Sequence, residues 1–297
     1  SAIDAGLVTG TMYPDEFEDY IKDLNDEKNI VTKWGDIDRS DKYVHEWSPK
    51  EKDKIAVIYA VGGIQSGKSN PGPAGSTVMG DKTIMKAIKT AREDDDVKAI
   101  VLRIDSGGGS ALASDHMWSE IIKTTTTDTS NVKPFIASMS DVAASGGYYI
   151  ACEADSILAD EGTITGSIGV IGLRLNFSEF KKRIGINQES LMYGKNSDFF
   201  SSARLVNDEE YERIQESIDN VYNRFKNLVI QGRHNLTDED DLDDVALGRV
   251  FTGKRASELD LTLVDKLGGL HDAIEVAKNT ANITGEIDIV EYPRKSK

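Results

Sequence analysis

Three features of the sequence predict an α/β fold built on a parallel sheet with helices on both faces. Continuous apolar runs recur at residues 54–61 (K-I-A-V-I-Y-A-V), 97–104 (V-K-A-I-V-L-R-I), 134–138 and 156–159. Runs without polar alternation suit strands that are buried on both faces. Amphipathic helical stretches separate them, at residues 81–92 and 110–122. Strand, helix, strand, helix, strand at this spacing is the pattern of parallel βαβ units. Glycine clusters also follow the strands, as at Gly62-Gly63 and Gly107-Gly108-Gly109, where tight turns leave a sheet.

Each element has its own signal. The first strand opens at Lys54 and ends at the glycine pair. The following helix carries Ile84, Met85, Ala87, Ile88 and Ala91 on one face. A long amphipathic helix spans residues 207–233 and opens N-D-E-E, with acids where the helix dipole favours them. Beyond Asn282 a weak strand and basic residues read as a tail. The expected organisation is the tail of a preceding repeat and a linker over 1–53, an α/β domain over 54–282 with helices at its C-terminal end, and a tail over 283–297.

The first segment echoes another near the opposite end. Ile3-Asp4 and Leu7-Val8 match Leu259-Asp260 and Leu263-Val264, each followed by a turn and an amphipathic helix. Such an echo implies that the chain opens where a preceding repeat closes, as in the second half of a tandem protein.

Composition narrows the chemistry. Of 297 residues 39% are hydrophobic, enough for a real core, and the net charge of −16 argues against nucleic acid or an anionic membrane as a direct partner. One cysteine, Cys152, excludes an intrachain disulfide and a cysteine metal cluster, and its apolar neighbours make it a buried thiol. No run reaches the roughly 18 apolar residues of a membrane-spanning helix.

Residues 62–69, G-G-I-Q-S-G-K-S, match the phosphate-binding pattern G-x-x-x-x-G-K-S. That chemistry needs a helix beginning at the lysine, and the next residues, N-P-G-P-A-G-S, cannot open one. The segment is expected to be a flexible loop. A second cluster, D-S-G-G-G-S at 105–110, lies between a strand and a helix. Consecutive glycines there can turn their amides toward one point, for a phosphate, a thioester oxygen or the oxyanion of an acyl transfer.

The stretch 139–150, M-S-D-V-A-A-S-G-G-Y-Y-I, places Ser145 among residues with almost no side chain. A serine at such a strand-to-helix transition is open to substrate, and the Gly146 amide, at a helix N-terminus, favours a developing negative charge. Its base is not evident. His45, His116, His234 and His271 lie in no catalytic pattern, which leaves a lysine as general base. Ser167, in the small-residue run 162–172 (G-T-I-T-G-S-I-G-V-I-G), can orient an ammonium group, and Lys195 lies in the loop 192–198.

Taken together, D-S-G-G-G-S, A-A-S-G-G-Y-Y-I-A, T-G-S-I-G-V-I-G, G-R-V-F-T-G-K-R-A at 248–256 and L-V-D-K-L-G-G at 263–269 resemble the signal peptide peptidase A (SppA) family of serine peptidases. The resemblance implies a ClpP/crotonase-like fold of repeated ββα units and a Ser-Lys dyad, with no cofactor and no metal. It implies Ser145 as nucleophile, Gly108 and Gly146 as oxyanion donors, and Ser167 as the group that orients the lysine. It also implies peptide substrates such as remnant signal peptides, a homo-oligomer, and a membrane tether outside this chain that holds the catalytic domain on the extracytoplasmic side.

The chain departs from the family pattern at two points. Gly107 stands where the family has proline. The family's G-x-x-K spacing places Ser197, not a lysine, at the base position after Gly194, with Lys195 two residues early. Long family members are tandem repeats with the serine in the second half and the lysine in the first. The base is therefore expected from a preceding half, with Lys195 as the candidate inside this chain. Two alternatives stay open: a crotonase-like acyl-CoA enzyme using the same glycine nest, and a non-catalytic scaffold half of a larger peptidase.

Overall fold

In the computed structural model of the chain, the described residues are 52–72, 76–127, 131–195, 197–233, 242–259 and 263–293. The terminal echo at 1–22, the linker, His45 and His234 lie outside them. All the described residues belong to one unit, Lys52–Lys297.

The sheet starts with β1 (Asp53–Val61), followed by the short strands β2 (Gly63–Gln65), β3 (Asn70–Pro71) and β4 (Thr77–Gly80). Helix α1 (Asp81–Glu93) leads to β5 (Val97–Ser106), and α2 (Ala111–Ile122) leads to β6 (Phe135–Ala144). One helical turn, α3 (Gly146–Tyr149), precedes β7 (Ser156–Ala159) and β8 (Ile164–Gly166). Then come α4 (Ser178–Arg183), the long α5 (Asp208–Gly232), β9 (Val250–Thr252) and α6 (Gly253–Ser257). The described chain closes with β10 (Lys266–Leu267), α7 (Leu270–Thr280) and β11 (Ile287–Tyr292).

The main sheet runs β10-β7-β6-β5-β1-β11, parallel throughout, with β8 added in parallel to β6 and β9 antiparallel to β8. This is the mixed α/β architecture expected, with a mainly parallel central sheet and helices at the C-terminal end. Its two faces account for the unbroken apolar runs. Ile55, Val57, Ala99, Val101 and Ile136 pack against Ala273, Ile274 and Ala277 of α7. Their sequence neighbours Ala56, Ile58, Ile100, Leu102 and Ala137 pack on the other face with α1, α2, α3 and α5. Each fully buried Ile or Leu contributes roughly 1.5–3 kcal/mol, so a polar residue on either face would be costly.

Helix ends follow local rules. Ser110 caps α2 through its side chain, and Asn207 caps α5 in a capping box with Glu210. Cys152 is buried and donates to Tyr149 O, and burial pushes its thiol up.

Two segments differ from expectation. Residues 62–69 are not a free loop. β2 pairs with β4 on one side and bridges Gly109 on the other, because the glycines let two backbones approach closely. β6 continues past Ser138 to Ala144, since β8 supplies it with a new partner over Val142–Ala144. The weak strand expected beyond Asn282 forms as β11, an edge strand parallel to β1. Among the described residues no helix is long and apolar enough to cross a membrane.

Candidate active site

Loops at the C-terminal ends of β1, β5 and β6 converge, as parallel α/β sheets require of their sites. β1 delivers Gly62, β5 delivers Gly107–Gly109, and β6 delivers Ser145.

Ser145 sits at φ 53°, ψ −120°, a conformation that costs an L-residue about 1–3 kcal/mol. Its surroundings hold it there. The Ser145 N–H donates to Gly166 O at 3.0 Å, and its carbonyl accepts from Tyr149 N–H at 2.9 Å. The result is a sharp strand-to-helix turn with a half-buried side chain. No described residue hydrogen-bonds the Ser145 hydroxyl.

Gly108 is pressed against this turn. Its φ is +95°, and a Cβ there would lie 2.6 Å from Gly146 N and 2.9 Å from Ser145 Cβ. Only glycine fits. The loop is also clamped from behind: Ile64 N–H donates to Gly108 O at 3.0 Å, Ser110 N–H donates to Ile64 O at 2.9 Å, and Ser106 Oγ donates to Gly62 O at 2.7 Å. The phosphate-loop look-alike is therefore the brace of the glycine nest.

The Gly108 N–H donates to Ser106 Oγ at 3.1 Å, so a buried hydroxyl already engages it. Gly107, Gly109 and Gly146 border the open space, and Gly108 does not.

That space is a cavity of about 810 Å³. Ser145 and Ser167 both line it, along with Tyr149, Phe225 and Leu247. Ser167 stands at φ 50°, held by its N–H donating to Arg249 O at 2.6 Å. The bond from Ser145 N–H to Gly166 O makes Ser167 the next residue along that wall. Asp219 is the only acidic residue of the described lining, which has no lysine, arginine or histidine.

Lys195 is elsewhere. Its side chain is 76% exposed and pairs with Glu209 at 2.6 Å, outside the cavity lining. His116 is also outside, with Nδ1 2.8 Å from Asp81 Oδ2. Sequence reasoning missed the far wall of the cavity, made by Ile218, Val221, Tyr222 and Phe225 of α5. Their i, i+3, i+4, i+7 spacing marks an apolar face but not what that face covers.

The chain is similar to several known proteins. The family described as Peptidase family S49 matches residues 127–284. The chloroplastic serine protease SPPA of Arabidopsis thaliana is 39% identical over 304 residues, covering 99% of this chain and 43% of that protein. Protease 4 of Haemophilus influenzae is 37% identical, covering 77% of the chain and 35% of that protein. The chain thus spans less than half the length of these two relatives. A solved structure of a mutant 1510-N membrane-bound stomatin-specific protease superposes with a TM-score of 0.51, covering 82% of this chain and 99% of the other. At 15% identity that likeness is one of fold.

Proposed function

The chain belongs to peptidase family S49, and from that premise we propose that it is the serine-bearing part of a serine peptidase with Ser145 as nucleophile. The observation that carries this reading is the strained Ser145 turn, whose hydroxyl has no competing partner among the described residues and borders a cavity edged by glycine.

In this reading a neutral lysine takes the Ser145 hydroxyl proton as Oγ bonds to the peptide carbonyl carbon. The carbonyl oxygen becomes an oxyanion facing the Gly146 amide. Gly108, pressed against the Ser145 turn, supplies the second donor by exchanging its bond to Ser106 Oγ for the oxyanion. The intermediate collapses, the amine leaves with the proton from the lysine, and water then releases the acyl group from Ser145 by the same steps. Ser167 orients the lysine.

The lysine comes from outside the described residues, from a preceding repeat half. Two observations support this. The described cavity lining holds no lysine, and Lys195 is held by Glu209. The segment between Ile171 and Phe200 also leaves Ile171, Leu173, Leu191, Tyr193 and Phe200 almost wholly exposed, as a surface that a repeat half or second copy would cover. Apolar walls around Ser145 suit peptides with apolar side chains, such as remnant signal peptides.

The test uses the complete protein. A fluorophosphonate probe is expected to label Ser145, and Ser145→Ala to lose both the label and peptide hydrolysis. Thioester turnover without a Ser145 adduct would support an acyl-CoA enzyme instead.

A further inference from the structure

One polar cluster beside the cavity has no part in the mechanism above. Tyr149 lies four residues after Ser145, is 4% exposed, and lines the same cavity. Its ring packs against Phe225 of α5, with centroids 4.8 Å apart and a 40° tilt. Its hydroxyl donates to Asp115 Oδ1 of α2 at 2.6 Å. The same oxygen accepts from Arg224 Nε of α5 at 3.3 Å, and the Arg224 guanidinium lies 4.8 Å from the centroid of the Trp118 ring.

Three helices therefore meet at one carboxylate that does not itself line the cavity. Each carries part of the cavity wall: Ser114 on α2, Tyr149 on α3, and Tyr222 and Phe225 on α5. The Arg224–Asp115 pair is partly exposed and contributes little by itself. The short phenol-to-carboxylate bond is the stronger, charge-assisted contact, and it fixes the direction of a ring that would otherwise turn about its side-chain bonds. Burial and the Asp115 carboxylate push the Tyr149 phenol up, so it stays a donor.

We propose that Asp115 is a positioning residue: it holds the Tyr149 ring as the wall against which the substrate side chain next to the scissile carbonyl packs. It thereby sets which apolar side chains are accepted by size. The proposal rests on Ser145 being the nucleophile. With Oγ bonded to the carbonyl carbon, the adjacent side chain must enter the cavity that Ser145 and Tyr149 share. A ring free to swing would admit larger groups and hold smaller ones less well.

The experiment takes the complete protein and phosphonate probes that differ only in the side chain beside phosphorus, methyl against benzyl. Binding and maximal labelling rate at Ser145 are measured separately. Tyr149→Phe, which removes one oxygen, and Asp115→Ala are each expected to shift the benzyl-to-methyl binding ratio upward by about tenfold. Any change in maximal labelling rate should be the same for the two probes, so that the shift in their ratio resides in binding. Asp115→Asn keeps an acceptor for the phenol and should restore the wild-type ratio, and the double variant Asp115→Ala/Tyr149→Phe should shift no further than either single. An unchanged ratio in Tyr149→Phe, additive shifts, or an equal loss for both probes overturns the proposal. Tyr149→Phe decides the matter if Asp115→Ala does not fold. Failure of the wild type to label at Ser145 overturns the nucleophile reading, and this proposal with it. A labelled wild type with an unmoved ratio overturns this proposal alone.

Discussion

The wall around Ser145 and the segment carrying Lys195 are built on opposite principles. Around Ser145 the backbone is tied down at every turn: β2 braces the glycine loop, Gly166 and Tyr149 lock the strained serine, and Arg249 holds Ser167. Between Ile171 and Phe200 large apolar side chains face solvent, and the described polar contacts are mostly local. The contrast teaches where the chemistry is complete. Under the proposed reading, the geometry around Ser145 is finished within the described residues, and the base and the cover for the apolar surface would come from outside them.

The largest effect that would break this comparison is loss of the nucleophile. Ser145→Ala should lower peptide hydrolysis by the complete protein at least about 10⁴-fold, with the melting temperature unchanged or raised by relief of little more than a hydroxyl. Retained turnover would move the chemistry elsewhere. Next comes Gly108→Ala. A Cβ at φ +95° and 2.6 Å from Gly146 N must push the nest away from the serine turn. About a hundredfold loss of kcat is expected, with destabilisation of roughly 1–3 kcal/mol in denaturant titration. Ser167→Ala should cost about tenfold in kcat with little change in KM, because it acts on the lysine rather than on substrate.

A smaller effect sharpens the other side. Arg204 donates to both Asp198 and Glu210, with four contacts of 2.6–2.7 Å, and fastens the Lys195 segment to the start of α5. That hydrogen bonding holds Glu210 down at about 2, against its ordinary 4.5. A depressed carboxylate stabilises the fold above its unfolded value, and the contribution is lost as pH falls through the folded one. Pepsin cleavage between residues 194 and 206 should therefore rise as pH drops from 4.5 toward 2. In Arg204→Gln the segment should be cut readily across that whole range.

Much of this division was legible in the residues. Unbroken apolar runs reported a sheet buried on both faces, and the small neighbours of Ser145 reported an open strand-to-helix turn. What stayed hidden depends on pairings far apart in sequence. The weak strand beyond Asn282 was legible, but its place on the edge of β1 was not. Residues 62–69 look like a nucleotide loop until β4 and Gly109 are seen on either side. Asp115, Tyr149 and Arg224 come from three helices, and no local pattern joins them. The bond from the Gly108 amide to Ser106 Oγ was not legible, since the direction of that hydroxyl depends on Gly62.

Under the proposed reading, Ser145 is served by a base other than Lys195. The most direct measurement is the rate of fluorophosphonate labelling at Ser145 in the complete protein, compared between wild type and Lys195→Met. Rates within about twofold of each other are expected. A fall of about a thousandfold or more in Lys195→Met, with the fold intact, would contradict that reading and make Lys195 the base.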